Sequence, residues 1–298
     1  MEKNSRSKQD GDSGRKGPVD GISLEDWAYP IDYLGGSYLV IDDDALLEWA
    51  QSNGISPRDA QIEALHRKII PLRYAKNFRA LTLAEQRKLC ESRVLICGCG
   101  GVGGVLINLL SRAGIGTLRL VDGSTFAPSN LNRQWFCDTH ALSRPKAEVA
   151  NERVRAINPL IEVEAFSTRM DGDNAGDLIR GMDLVVDALD DLPVRFLLAE
   201  AAKHAKIPFI HAAATGWWGQ ISTFLPGSFF DLHSVYGHET EQDPAVEMMG
   251  VLGPAPAVIG SLVAFEAIRL LSGRNSAYAD QLLYLDGESG RIDIIPLE

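Results

Sequence analysis

The stretch VLICGCGGVGGVLINLLSRAGIGTLRLVDG, Val94–Gly123, decides the architecture of this chain. An apolar run stops at a turn carrying Gly98, Gly100, Gly101, Gly103 and Gly104. A helix-compatible stretch follows over Val102–Ala113, and a second apolar strand over Thr117–Val121 ends at Asp122, 19 positions beyond Gly103. This is a β-α-β unit of the dinucleotide-binding type. A bare G-x-G-x-x-G occurs in many unrelated folds. Here it lies directly between strand and helix, where the backbone can approach a phosphate chain. Asp122 at the strand end can accept hydrogen bonds from ribose hydroxyls; a capping or turn aspartate is the bland alternative.

Working outward, the alternation continues. Strand Thr117–Val121 is followed by helix Lys146–Ile157, strand Ile161–Ala165, a helix near Ala175–Arg180, strand Leu184–Asp187, helix Val194–His204 and strand Phe209–His211. Strands spaced by helix-length segments predict a parallel sheet with helices on both faces. Right-handed crossovers then make it a doubly wound, Rossmann-like α/β sheet. Gln220–Phe224 reads as a further strand. Ser228–Gly250, with five acids, two histidines and no Lys or Arg, reads as a long mobile segment. Pro254–Leu271 is an apolar helix, and Leu282–Leu285 with Ile292–Ile295 form a terminal hairpin.

Upstream of the unit, Asp42–Ala50 has helical periodicity. Ser56, Pro57 and Asp59 predict a capping box opening a helix that buries Ile62, Leu65 and Ile69 and stops before Pro71. Thr82 with Glu85 opens another. Arg73–Asn77, RYAKN, has no evident element of its own. The expected organisation is a disordered tail over 1–24, a helical extension over 25–90 and a nucleotide-binding core over 91–225. A mobile acidic crossover over 226–253 and a helix and hairpin over 254–298 complete it.

The 298 residues, 45% hydrophobic, are ample for a globular core. No stretch reads as a membrane span, since the apolar runs are strand-sized or broken by charge and glycine. The first 20 residues mix Lys3, Arg6, Lys8, Arg15 and Lys16 with four acids and lack an apolar run, so a cytoplasmic location is expected. A formal charge of −11 argues against nucleic acid as a partner. Cys90, Cys97, Cys99 and Cys137 include no C-x-x-C pair, which argues against structural zinc and a disulfide framework.

The chemistry gathers on loops after strands. NLNRQ (Asn130–Gln134) and RPK (Arg144–Lys146) supply the cations Arg133 and Lys146 where a two-charge pyrophosphate needs only a helix N-terminus. Grouped cationic and amide side chains suit the more highly charged triphosphate of ATP. Asp187, Asp190 and Asp191 sit at the carboxyl end of a later strand, the edge where doubly wound sheets bind ligands. A carboxylate there can hold Mg²⁺ against phosphate oxygens; a capping cluster for the next helix is the alternative.

From about Pro71 to Glu298 the chain resembles the ubiquitin-activating superfamily in its small prokaryotic form, the adenylyltransferases of molybdopterin and thiazole biosynthesis. The specific segments are GCGGVG, LVDG, NLNRQ, RPKAEVANERVRAINP, DALDD, HAAATGWWGQISTF and GSLVAFEAIRLLSG. The resemblance implies a homodimer that uses MgATP to adenylate the C-terminal glycine of a ubiquitin-like sulfur carrier ending in Gly-Gly. It places the nucleotide loop on Gly98, Gly100, Gly101 and Gly103, and the ribose contact on Asp122. Asn130, Arg133, Gln134 and Lys146 fall on the nucleotide contacts, and Asp190 on the magnesium-linked aspartate. Asp191 stands where asparagine is common. In RYAKN, Lys76 takes the place of an arginine donated across the dimer, keeping the charge but losing the bidentate fork.

Two departures shape the chemistry. The usual zinc-binding C-x-x-C pairs are absent, and Ser228–Pro256 contains no cysteine, so the crossover thioester used by many members has no nucleophile here. Adenylation survives, with sulfur delivered by an external donor. A protein C-terminal carboxylate attacking the α-phosphorus is already ionised at pH 7 and needs no general base, and His204 and His211 read as structural. The alternatives are a dehydratase-type relative activating a small molecule or nucleoside, an NAD(P)-linked oxidoreductase on the same turn, and a nucleotide-binding scaffold without catalysis.

Overall fold

A computed structural model describes residues 23–33, 35–237 and 248–298. Most of the expected tail, residues 1–22, and residues 238–247 of the expected mobile crossover lie outside the described residues.

The core is an eight-stranded sheet flanked by helices. It is entered through β4 (Arg93–Cys97), α4 (Gly101–Ala113) and β5 (Thr117–Val121). The order then runs α5 (Lys146–Ile157), β6 (Glu162–Phe166), α6 (Ala175–Ile179), β7 (Leu184–Asp187), α7 (Leu192–Ala205) and β8 (Phe209–Thr215). β9 (Trp218–Phe224), α8 (His233–Tyr236), α9 (Pro254–Ser272), β10 (Gln281–Asp286) and β11 (Arg291–Pro296) follow. The strand order is β11-β10-β9-β8-β7-β4-β5-β6. Strands β6, β5, β4, β7 and β8 run parallel, and β9, β10 and β11 add antiparallel strands beyond β8. The chain winds outward from β4 through β5 to β6, then returns to β7 on the other side of β4. The order therefore reverses between β4 and β7, and a ligand crevice opens at such a reversal.

Each sheet face buries its own core. Leu106, Leu110, Val149 and Val263 pack on one face with Val94, Ile96 and Leu118. Leu178, Ile179, Val194 and Leu198 pack on the other with Leu95 and Val185. Helix α9 has the length and composition to cross a membrane, but half of that stretch is buried inside the protein. A Cβ at Gly260 would meet Val105 at 2.8 Å, and its fully buried Glu266 accepts from Thr223 Oγ1 at 3.1 Å and from the Ala277 N–H. It is a core helix with an anchored charge.

The region before β4 departs from a purely helical extension. α1 (Asp43–Asn53), α2 (Pro57–His66) and α3 (Leu83–Glu91) form, but β1 (Tyr29–Tyr33), β2 (Gly36–Ile41) and β3 (Ile69–Pro71) make a separate three-stranded sheet. Ile69 is thus a strand residue paired with Leu39 and does not belong to α2. Arg67 caps that helix and Lys68 turns away with φ +62°, while the β-branched Ile69 and Ile70 suit a buried strand. Only half of the box expected at Ser56 forms: its hydroxyl accepts the Asp59 N–H at 3.0 Å. The Thr82–Glu85 box forms in both directions. RYAKN lies in a 3₁₀ helix, Leu72–Asn77. Buried Tyr74 there donates to Gln61 Oε1 at 2.9 Å and accepts from Asn158 Nδ2 at 2.8 Å, knitting the region to the core. The expected crossover likewise contains an element, α8.

Candidate nucleotide site

A cavity of about 390 Å³ opens at the carboxyl ends of β4, β5 and β7, over the point of reversal. Its floor is the glycine turn. Gly98 has φ +101°, and a Cβ there would lie 2.4 Å from the Ala188 carbonyl oxygen. A Cβ at Gly103 would lie 1.8 Å from Gly98 O, so the turn closes onto its helix only without side chains at either position. No side chain caps the α4 N-terminus at Gly100, and no acidic residue lies in its first turn. Backbone N–H groups and the positive end of the helix dipole are thereby left for an anion.

Gly98, Gly100, Gly101, Asp122, Arg133, Gln134, Lys146, Asp190 and Asp191 all line this cavity. Asp122 ties the turn to its strand, accepting the Cys99 and Ser124 N–H groups at 2.8 Å each. Arg133 is oriented by donating to Ser129 O at 2.8 Å and Asn132 Oδ1 at 3.0 Å. Lys146 opens α5, its Nζ 5.9 Å from the centroid of the Phe126 ring. Gln134 Oε1 is buried with no hydrogen-bond partner among the described residues, an acceptor left for a ligand donor.

Three expected residues stand apart. Gly103 lies under the turn and shapes it from behind. Asn130 is buried beside the cavity, its Oδ1 accepting the Ala127 N–H at 3.0 Å and its carbonyl accepting from Arg133 and Gln134, so that it sets the loop carrying those two. Lys76 sits on the 3₁₀ helix before α3 and does not line its own chain's cavity. The neighbouring Arg73 is committed to Asp43 and to the Ile157 carbonyl at 2.9 Å.

The three acids after β7 divide into separate roles. Asp187 is fully buried and bound to Arg195 and His211. Asp191 caps α7, accepting the Val194 N–H at 3.2 Å, and pairs with Arg169. Asp190 lines the cavity, and no hydrogen bond or ion pair engages its carboxylate among the described residues. An open carboxylate beside a phosphate site fits Mg²⁺, which takes one or two carboxylates and fills its shell with phosphate and water oxygens.

Ser124, Thr168, Arg169, Val251 and Pro256 also line the cavity without having been singled out. Thr168 and Arg169 follow β6, so the strand-end rule that found Asp190 would have found them too. Pro256 comes from α9, far away in sequence, and carries no local signal.

All four cysteines are free and buried. Burial pushes the Cys90 thiol up to about 12 and raises Cys97 and Cys137. Cys99 is raised well above the usual thiol range by burial and by the nearby Asp122 carboxylate. Thiols held protonated are poor nucleophiles. Among the described residues, no group of three or more His, Cys, Asp or Glu side chains is assembled for a metal.

Comparison with known proteins shows the family. Residues 73–298 match the ThiF family. The chain is 34% identical over 212 residues to the SAMP-activating enzyme E1 of Haloferax volcanii, covering 71% of this chain and 78% of that one. It is 36% identical to the sulfur carrier protein adenylyltransferase of Thermus thermophilus, covering 67% and 77%. With the sulfur carrier protein ThiS adenylyltransferase of Escherichia coli the identity is 34%, covering 71% and 84%. Among solved structures, E. coli MccB with ATP shares the fold at a TM-score of 0.67 and 17% identity, over 92% of this chain and 96% of that one.

Proposed function

The chain belongs to the ThiF family, and we propose that the cavity over β4 and β7 holds MgATP for attack by a protein carboxylate. The protein is an adenylyltransferase that activates the C-terminal glycine of a ubiquitin-like sulfur-carrier protein and releases pyrophosphate. The observation that carries this reading is the cavity itself. An uncapped helix N-terminus, Arg133, Lys146, the unpartnered Gln134 oxygen and an open Asp190 carboxylate converge on one volume.

The triphosphate lies along the glycine turn, with Asp122 toward the ribose. The carrier's terminal carboxylate forms a bond to the α-phosphorus. The bond from that phosphorus to the bridging oxygen breaks, and the electron pair leaves on pyrophosphate. Arg133 and Lys146 stabilise charge on the phosphoryl oxygens. Asp190 is the residue that would hold Mg²⁺, which when bound neutralises phosphate charge. No general base is required, because an α-carboxyl group with a pKa of about 3.5 is ionised at neutral pH. Sulfur reaches the acyl-adenylate from an external donor, since Ser228–Pro256 offers no thiol. Lys76 is assigned to the cavity of a second copy in a cytoplasmic homodimer.

Radiolabelled pyrophosphate exchange tests this, with a Gly-Gly-ended carrier and a tail-truncated control. Asp190→Ala and Arg133→Ala each lower carrier-dependent exchange by roughly 10²–10³-fold. Single cysteine replacements have far smaller effects. Mixing Lys76→Ala with Asp190→Ala protein restores part of the activity, because a hybrid dimer carries one intact cavity. Unchanged exchange in both Ala variants removes these residues from the mechanism. Exchange abolished by loss of Cys99 or Cys137 alone, with the fold intact, makes a thiol catalytic.

A further inference from the structure

Behind the cavity lies a polar cluster that the adenylation chemistry does not touch. Asp187, Arg195 and His211 are buried, in positions where charge is costly. His211 Nδ1 lies 2.7 Å from Asp187 Oδ2 and donates to it. Arg195 Nη1 donates to the same oxygen at 3.0 Å and to the Ala212 carbonyl at 2.9 Å. On the far side, the Tyr236 hydroxyl of α8 lies 3.1 Å from His211 Nε2 and accepts from Gln220 Nε2 at 2.9 Å. With Nδ1 carrying the imidazole proton, Nε2 accepts the tyrosine proton.

This cluster grips the backbone of Leu189 from both sides. Asp187 Oδ1 accepts the Leu189 N–H at 3.0 Å, and the second amino group of Arg195 donates to the Leu189 carbonyl. Two residues further on, Asp191 is fixed as the α7 cap. Asp190 is therefore pinned on both sides by its backbone neighbours, while its carboxylate makes no hydrogen bond or ion pair among the described residues and feels the Arg195 charge only at a distance. Apolar packing would stabilise this volume as well as a buried ion pair does. What the charged set adds is geometry, because a guanidinium holds several acceptors in one plane.

We propose that Arg195, with Asp187, His211 and Tyr236, is the positioning set that aims the Asp190 carboxylate into the nucleotide cavity. The inference rests on the adenylation reading only through the role given there to Asp190.

Two variants of the full-length protein test it. Tyr236→Phe removes one hydroxyl and keeps the ring. Arg195→Lys keeps the charge but cannot hold Asp187, Ala212 O and Leu189 O together. In nucleotide-free protein, amide exchange at residues 188–191 becomes roughly three- to tenfold faster in Tyr236→Phe, the scale of one net hydrogen bond, and faster still in Arg195→Lys. The effect of Tyr236→Phe stays at that scale because Gln220 Nε2 lies 3.1 Å from His211 Nε2 and donates there in place of the hydroxyl. By calorimetry, the tightening of ATP binding by Mg²⁺ shrinks by a similar factor, while affinity without Mg²⁺ stays at the wild-type value. In an Asp190→Asn background, Tyr236→Phe adds nothing to that loss. Unchanged exchange at 188–191 in both variants overturns the proposal, as does an unchanged Mg²⁺ effect. If the wild-type protein binds no ATP, the adenylation reading falls, and the exchange arm still decides whether the cluster holds the loop.

Discussion

The ends of β4 and β7 lie side by side under the cavity and are built by opposite means. After β4 the chain removes side chains: a methyl group on Gly98 would overlap the Ala188 carbonyl, and one on Gly103 the Gly98 carbonyl. After β7 it buries charge: Asp187, Arg195 and His211 interlock with no more than 6% of any residue exposed. The first arrangement presents backbone N–H groups to an anion, which demands contact distance and no bulk. The second presents one carboxylate in a fixed direction, which demands anchors around it. Adjacent strand ends of one sheet thus reach complementary chemistry by deletion and by enclosure.

The contrast can be broken from either side. The largest effect is expected for Gly103→Ala. With a Cβ 1.8 Å from Gly98 O and backbone as the obstacle, the turn has to open. We expect destabilisation above about 4–5 kcal/mol, in the exceptional range for one substitution, read by denaturant unfolding. A stable Gly103→Ala protein with unaltered ATP affinity would show that the close approach is dispensable.

Arg195→Ala ranks next. It leaves the buried Asp187 carboxylate facing only the imidazole and the Leu189 amide, and breaking a buried pair from one side typically destabilises by about 3–5 kcal/mol. Replacing Arg195 and Asp187 together by apolar residues recovers much of that stability without recovering exchange activity. Equal losses in the single and double variants would mean that the charge pair itself is not what the site depends on.

The smallest effect is a pH dependence. Burial lowers the His211 pKa below the usual histidine value, outweighing the neighbouring Asp187. Burial alone would raise Asp187, but the Arg195 guanidinium and His211 hold its carboxyl below the usual carboxylate range. The neutral imidazole is favoured by the fold. Its contribution is intact above the unfolded pKa of about 6.5 and is lost as pH falls from there toward the folded value. Asp187 contributes above the ordinary aspartate range and is lost only in stronger acid. Thermal melts of wild type and His211→Asn between pH 7.5 and 5 should converge as pH falls, on the order of a degree or a few. Parallel curves would place the acid-sensitive group elsewhere.

The sequence by itself determined the strand–turn–helix unit over Val94–Asp122, because strand and helix periodicities are local and the glycines mark where a side chain cannot stand. It determined the helix starts where a cap is a matter of three residues, as at Thr82 and Glu85. It also brought Arg133, Gln134, Lys146 and Asp190 to one place, since each follows a strand and parallel strands of one sheet end on one edge. The three-stranded sheet before β4 was not legible: β1, β2 and β3 are short, and β3 pairs with β2 across two helices. Nor could spacing distinguish the three acids after β7. Which of Asp187, Asp190 and Asp191 keeps an unengaged carboxylate in the cavity depends on Arg195 from the next helix turn, His211 from the next strand and Arg169 beyond β6. Those partners meet only when the chain has folded, because the free energy of a carboxylate is set by what surrounds it in space.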